Sequence, residues 1–187
     1  MARAAYTRLP VDERRRRLLE LGAELFARHP YEELSMRRIA REAGISKALL
    51  YHYFPSKQRF FVATLSQAAE EVTRRTEPDP ELPPAEALSV SLDAFLAWVE
   101  ENALAYERLI RGAAGTPEVR VLVDQVRART SQRILDGLGA EGPRARAAVS
   151  GWLWFLDGSI LDWLEHRDLT RDELRELLLR TLVSALA

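Results

Sequence analysis

The side chains best equipped for chemistry in this sequence are gathered between residues 35 and 57. Ser35 and Ser46 each stand just before a helix-forming run, where a serine hydroxyl can accept from a backbone N–H of the first turn. Lys47 and Lys57 are the only two lysines in a chain that carries 25 arginines. Tyr51 and Tyr53 add phenol donors, with His52 between them. Cations and donors collected at helix starts, where free backbone N–H groups also point outward, suit a polyanion. Other chemistries lack their parts. His29, His52 and His166 fall on three separate segments, and no His-x-x-x-His pair, Gly-x-Ser-x-Gly elbow or phosphate loop occurs. The chain has no cysteine to act as nucleophile, disulfide or thiolate ligand. Neither an enzyme nor a metal or cofactor site is expected.

The elements that would hold these side chains can be read from local signals. Residues 35–47 run Ser35, Met36, Arg37, Arg38, Ile39, Ala40, Arg41, Glu42, Ala43, Gly44, Ile45, Ser46, Lys47. Two short helices with serine caps, joined by a turn at Gly44, make a helix-turn-helix. Ala40 is small where the helices cross, and Gly44 gives the turn its backbone freedom. Ile39, Ile45, Leu50 and Phe54 can close a small core behind the motif. Lys47, Ala48, Leu49, Tyr51, His52 and Tyr53 then face outward or sideways, as the N-terminal end of a groove-entering helix must. The same pattern is also compatible with plain bundle architecture and core-edge tyrosines.

No segment reads as a strand, and periods of 3.6 residues recur along the chain. The fold expected is all-α with about nine helices. The first runs from Pro10 to about Arg28 and stops at His29-Pro30. Short ones follow Ser35 and Ser46, and a longer one follows Ser56. Pro78 to Pro84 holds four prolines and is a linker that no helix interior tolerates. Beyond it come helices at about 85–101 and 106–110, a third opened by Thr116-Pro117-Glu118 and ended by Gly137, Gly139 and Gly142, and two more at about 144–166 and 171–185. Thr170 and Glu173 form a capping box for the last.

Charge divides along the same line. Net charge is −1, but residues 1–60 carry 13 basic against 7 acidic side chains, and the remainder carry 14 against 21. A cationic head on an acidic body follows, with domains expected at 1–57 and 58–187. No apolar run is long enough to span a membrane, and the first residues have no signal-peptide core, so a cytoplasmic protein is expected.

The stretch from Leu25-Phe26 through residues 35–47 to Leu50, Tyr51, His52, Tyr53, Phe54, Pro55, Ser56 and Lys57 resembles the TetR family of bacterial transcription regulators. The resemblance implies a dimeric all-helical protein with a DNA-binding head and a larger ligand-binding body. It also implies that Ser35, Tyr51, Tyr53 and Lys57 contact phosphates while Lys47, Ala48 and Leu49 face base edges; Ser46 and His52, on the same helix, complete the DNA-binding set expected. Ala48-Leu49 replaces the Gly-Thr common in the family, exchanging a hydroxyl for apolar contact such as a thymine methyl. His29-Pro30 replaces the usual glycine after the first helix.

In the body, residues 151–164 are apolar on nearly every face and so should be buried on more than one side. Ala147, Gly151, Trp154, Gly158 and Leu161 form one stripe; Leu153, Leu156, Asp157 and Ile160 form another. Since the family pairs its last two helices across the dimer, the resemblance assigns the glycine stripe to that interface, completed by Leu174, Leu177, Leu178, Leu182 and Ala185. The second stripe would then face Phe95, Trp98, Tyr106 and Leu109 around a cavity for a small apolar or aromatic effector, or merely fill the core. Asp157 is open between a ligand-facing acid, a helix cap and a place at the seam. The function expected is a ligand-responsive regulator, a repressor, that binds palindromic operator DNA. A helical protein-interaction module without DNA binding is the alternative.

Overall fold

Helices form where capping and periodicity predict them. The computed structural model describes residues 11–112 and 117–187. Among these there are nine α-helices, one 3-10 turn and no strand: α1 (Val11–Arg28), the 3-10 turn Tyr31–Glu33, α2 (Met36–Glu42), α3 (Lys47–Tyr53), α4 (Lys57–Arg75), α5 (Pro84–Glu101), α6 (Ala103–Gly112), α7 (Pro117–Leu138), α8 (Gly142–His166) and α9 (Arg171–Leu186). Pro10 and the Thr116 cap lie outside the described residues, although Pro117 and Glu118 open α7 as expected. Among the described residues no helix is long and apolar enough to cross a membrane.

The chain divides into two compact units, up to Ala68 and from Ala69 onward. The division lies within α4 rather than at the expected 57/58, because the first turns of α4 belong to the head's core. There Phe60 is fully buried beside Leu18, Leu19, Leu25, Phe26, Leu34, Ile39, Leu50 and Phe54. Phe26, Tyr31, Phe60 and Phe61 form one aromatic cluster, with Phe26–Phe61 centroids 4.6 Å apart. Gly22 lets α1 approach α4: a Cβ there would stand 2.6 Å from Thr64 Oγ1 and 2.7 Å from Phe60 Cζ. No larger residue fits without displacing that core.

In the second unit α9 packs on α8 and α5, and α7 packs on α8 and α5. Asp93 on α5 receives Arg171 at 3.1 Å and Arg175 at 3.0 Å, which fixes the register of α9. The α6 helix begins three residues earlier than the sequence pattern indicates. Asn102 explains this: its side chain donates to the Trp98 carbonyl at 2.9 Å, closing α5, while its own carbonyl accepts from Tyr106 and starts α6. The capping box of α9 is complete, Thr170 Oγ1 accepting from the Glu173 N–H and the Glu173 carboxylate accepting from the Thr170 N–H.

Candidate functional site

The head shapes its third helix through local bonds and holds it through one buried side. Ser35 Oγ accepts from Arg38 N at 3.2 Å and Ser46 Oγ from Leu49 N at 3.1 Å, so both serines cap their helices. Gly44 holds φ at 64° between them, a left-handed turn that favours glycine. Leu50 is fully buried and anchors α3, leaving Ser46, Lys47, Ala48, Tyr51 and His52 exposed and Leu49 and Tyr53 half-buried. Lys47 Nζ lies 5.4 Å from the Tyr51 ring centroid, which directs the ammonium along the exposed side of the helix. A cation, an exposed helix start and the Tyr51 phenol thus share one surface, while Tyr53 packs against the head's core.

Lys57 is placed differently. Its Nζ donates to the Tyr31 carbonyl at 2.9 Å and sits 4.1 Å from the Tyr31 ring centroid. It pins the 3-10 turn to the start of α4, so its charge is already engaged inside the head. Of the Arg14 to Arg17 run, Arg16 pairs with Glu20 and Arg17 with Glu13 at 2.6 Å each. These exposed i,i+4 pairs reduce the cationic field that composition alone suggests.

The body holds a half-open cavity of about 200 Å³. Phe95, Leu153, Leu156 and Asp157 line it as expected; Trp98, Tyr106, Leu109 and Ile160 are not in its wall. Tyr106 stands behind Asp157, its hydroxyl donating to Oδ1 at 2.6 Å. Burial, reinforced by the neighbouring Asp157 carboxylate, pushes the Tyr106 phenol well above the ordinary tyrosine value, so it stays a neutral donor. Arg127 closes the other side of Asp157 with an ion pair to Oδ2, and its guanidinium lies 3.8 Å from the Trp154 ring centroid. Asp157 therefore sits in the wall of the cavity already partnered. The wall also contains Ser91, Trp152, Arg133 and Thr76, which periodicity did not single out. A usable sign existed: Arg127, Thr130 and Ile134 recur at helical spacing on α7, with Arg133 beside them.

On α8 the two stripes separate cleanly. Leu153, Leu156, Asp157 and Ile160 are buried; Ala147, Gly151, Trp154 and Gly158 are exposed, and Leu161 is half-buried. Trp154 is 63% exposed, and a Cβ at Gly151 or Gly158 would touch nothing in the chain. The α9 half of the expected seam needs correction. Leu174, Leu178 and Leu182 are fully buried within the chain, and Trp152 Nε1 donates to the Leu178 carbonyl at 2.8 Å. They fill the body's own core because α9 turns that face toward α8 and α5. Leu177, Val183 and Ala185 are the apolar residues that α9 leaves at the surface.

This arrangement has close counterparts. Residues 18–64 match the bacterial regulatory proteins of the tetR family, and residues 84–185 match the tetracyclin repressor-like C-terminal domain. The transcriptional repressor KstR of Rhodococcus jostii is 28% identical over 86% of this chain and 77% of its own. The transcriptional activator FasR of Mycolicibacterium smegmatis is likewise 28% identical, over 85% and 76%. A crystal structure of a tetR-family transcriptional regulator from Streptomyces coelicolor superposes with a TM-score of 0.84 at 31% identity, covering 95% of this chain and 82% of that one. Head, body and both family matches agree: the chain belongs to the TetR family and is a ligand-responsive, DNA-binding transcription regulator rather than an enzyme.

Proposed function

We propose that the chain is a homodimeric repressor that holds a palindromic operator with α3 of each protomer and releases it when a small, largely apolar effector enters the body's cavity. The observation that carries this reading is a half-open, largely apolar cavity in the body of a chain whose head presents an exposed helix start. Ser46, Lys47, Ala48, Leu49, Tyr51 and His52 would meet the major groove and its flanking phosphates. Ser35 and Tyr53 would support the flanks. Repression is chosen over activation by analogy with the repressor KstR, whereas FasR is an activator.

A two-fold dimer reads half-sites about 34–36 Å apart, so anything that changes the spacing of its two heads changes affinity. Helix α4 begins in the head, and Val72 in its last turn lines the cavity. An effector shifts this balance only through its different affinity for the two shapes, with coupling typically about 5- to 150-fold.

The face proposed for dimerisation is the exposed stripe of Gly151, Trp154 and Gly158, joined by Leu177 and Val183. Light scattering of the wild-type chain is expected to give twice its 21.3 kDa. A Cβ at position 158 meets no atom of its own protomer, so the side chain of Gly158→Leu starts into open space and would obstruct a second copy. The variant should lower the dimer fraction and operator retardation together, while the thermal midpoint measured at low concentration is not lowered, since leucine favours a helix interior over glycine. A wild-type monomer that still retards a fragment of its own promoter region at full affinity overturns the proposal.

A further inference from the structure

The body is acidic, with 14 basic against 21 acidic side chains from residue 61 onward. Its cavity has the opposite sign, lined by two arginines, one aspartate and otherwise uncharged residues. Asp157 and Arg127 neutralise each other, with Tyr106 on the remaining carboxylate oxygen. That leaves Arg133. Its guanidinium donates to Thr76 Oγ1 at 3.0 Å and to the Thr73 carbonyl at 3.5 Å, both neutral acceptors. Among the described residues no carboxylate stands within ion-pairing distance of it. Burial pulls its proton affinity below the ordinary arginine value against the opposing pull of Glu77, and it remains a cation. A second group is left over on the α5 wall: Ser91 Oγ is buried without a hydrogen-bond partner. Buried polar groups are normally satisfied, so Ser91 Oγ stands out, and it borders the same space as the half-buried Arg133, which has neutral acceptors but no carboxylate in contact.

We propose that the effector is an amphipathic carboxylic acid, its carboxylate paired with Arg133, its apolar body against Leu88, Leu92, Phe95, Leu153 and Leu156, and Ser91 supplying a further hydrogen bond. The inference deepens the ligand-cavity reading above and rests on it. A single charge is preferred because the wall carries one guanidinium with no carboxylate in ion-pairing contact. A dianion would bring one negative charge without a partner into a low-dielectric space. A carboxylate also matches the planar fork of a guanidinium, which donates two parallel hydrogen bonds to it. The apolar lining excludes small hydrophilic acids, which would leave most of the wall unfilled.

The test uses the full-length chain, dodecanoate, and dodecanol as the neutral probe of the same length. Both are titrated below micelle formation at neutral pH against the neutral apolar dye N-phenyl-1-naphthylamine. Dodecanoate should displace the dye from the wild type at about tenfold or more lower concentration than dodecanol, the range of one charge-assisted hydrogen-bonded pair. Arg133→Met keeps the aliphatic stem and should abolish that difference, leaving dodecanol unchanged. Arg133→Lys should keep part of it, and Ser91→Ala should weaken the acid by a few-fold. Circular dichroism establishes that each variant folds, and Arg133→Gln replaces the methionine variant if it does not. Equal binding of acid and alcohol to the wild type overturns the proposal, as does an acid preference that survives Arg133→Met. If the dye binds but neither amphiphile displaces it, the anionic-head assignment fails while the cavity reading stands. If neither the dye nor either amphiphile binds, the cavity reading itself fails and this inference falls with it.

Discussion

The head and the body handle polar groups in opposite ways. In the head the core is apolar, from Leu19 through Ile39 and Leu50 to Phe60, save for Thr64, whose hydroxyl donates to the Phe60 carbonyl of its own helix, and its functional groups stand outside on an exposed helix. In the body the polar groups are inside: Tyr106, Asp157 and Arg127 form a chain of hydrogen bonds at the edge of a cavity, with Arg133 and Ser91 in the same wall. A surface that must meet a wide, hydrated polyanion needs exposed donors on a stiff support. A cavity that distinguishes one small molecule from another needs a few desolvated polar groups among many apolar ones. The difference teaches that substitutions behind the head's surface act on stability, whereas those at the body's polar groups act on selectivity.

The sharpest way to break that contrast is at Leu178, which the family resemblance places at the dimer seam and the structure places in the body's core. Leu178→Ala should destabilise each protomer by about 2–5 kcal/mol, measured by urea unfolding, with little dependence on protein concentration. A loss that appears only on dilution would return Leu178 to the interface.

Gly22→Ala probes the head in the same currency. The added methyl overlaps Thr64 and Phe60 and should cost about 1–3 kcal/mol. Operator affinity should fall with it while dye binding in the cavity is preserved. Parallel loss of both activities would show that head and body do not fail independently.

The smallest effects separate two lysines. Lys47→Ala removes an exposed charge, so stability should hold while the log–log salt dependence of operator binding falls by roughly 0.9 per phosphate contact, once per subunit. Lys57→Ala should do the reverse, lowering the urea midpoint through loss of the Tyr31 contacts and changing the salt slope little. A flattened slope for Lys57→Ala would mean that its ammonium leaves Tyr31 to reach DNA.

Much of this molecule is legible in short stretches of sequence because the forces involved act over one turn of helix. Ser35, Ser46 and Thr170 cap their own helices three residues on, Gly44 sets its own turn, and the prolines from Pro78 to Pro83 exclude a helix until Pro84 opens α5. The sequence by itself therefore determined the order of the helices and the exposed end of α3. It also separated the two stripes of α8, since an amphipathic pattern fixes which residues share a face. It did not determine which face of α9 turns inward. Leucines at 174, 177, 178 and 182 make more than one plausible stripe, and the choice was made by the ion pairs of Arg171 and Arg175 with Asp93, about eighty residues away. The same holds for Lys57, whose partner Tyr31 lies on another element, and for the cavity wall, which draws on the ends and faces of helices far apart in sequence. Only tertiary structure decided that Asp157 is neutralised and Arg133 is not, because charge compensation inside a protein depends on which side chains packing brings together rather than on their spacing along the chain.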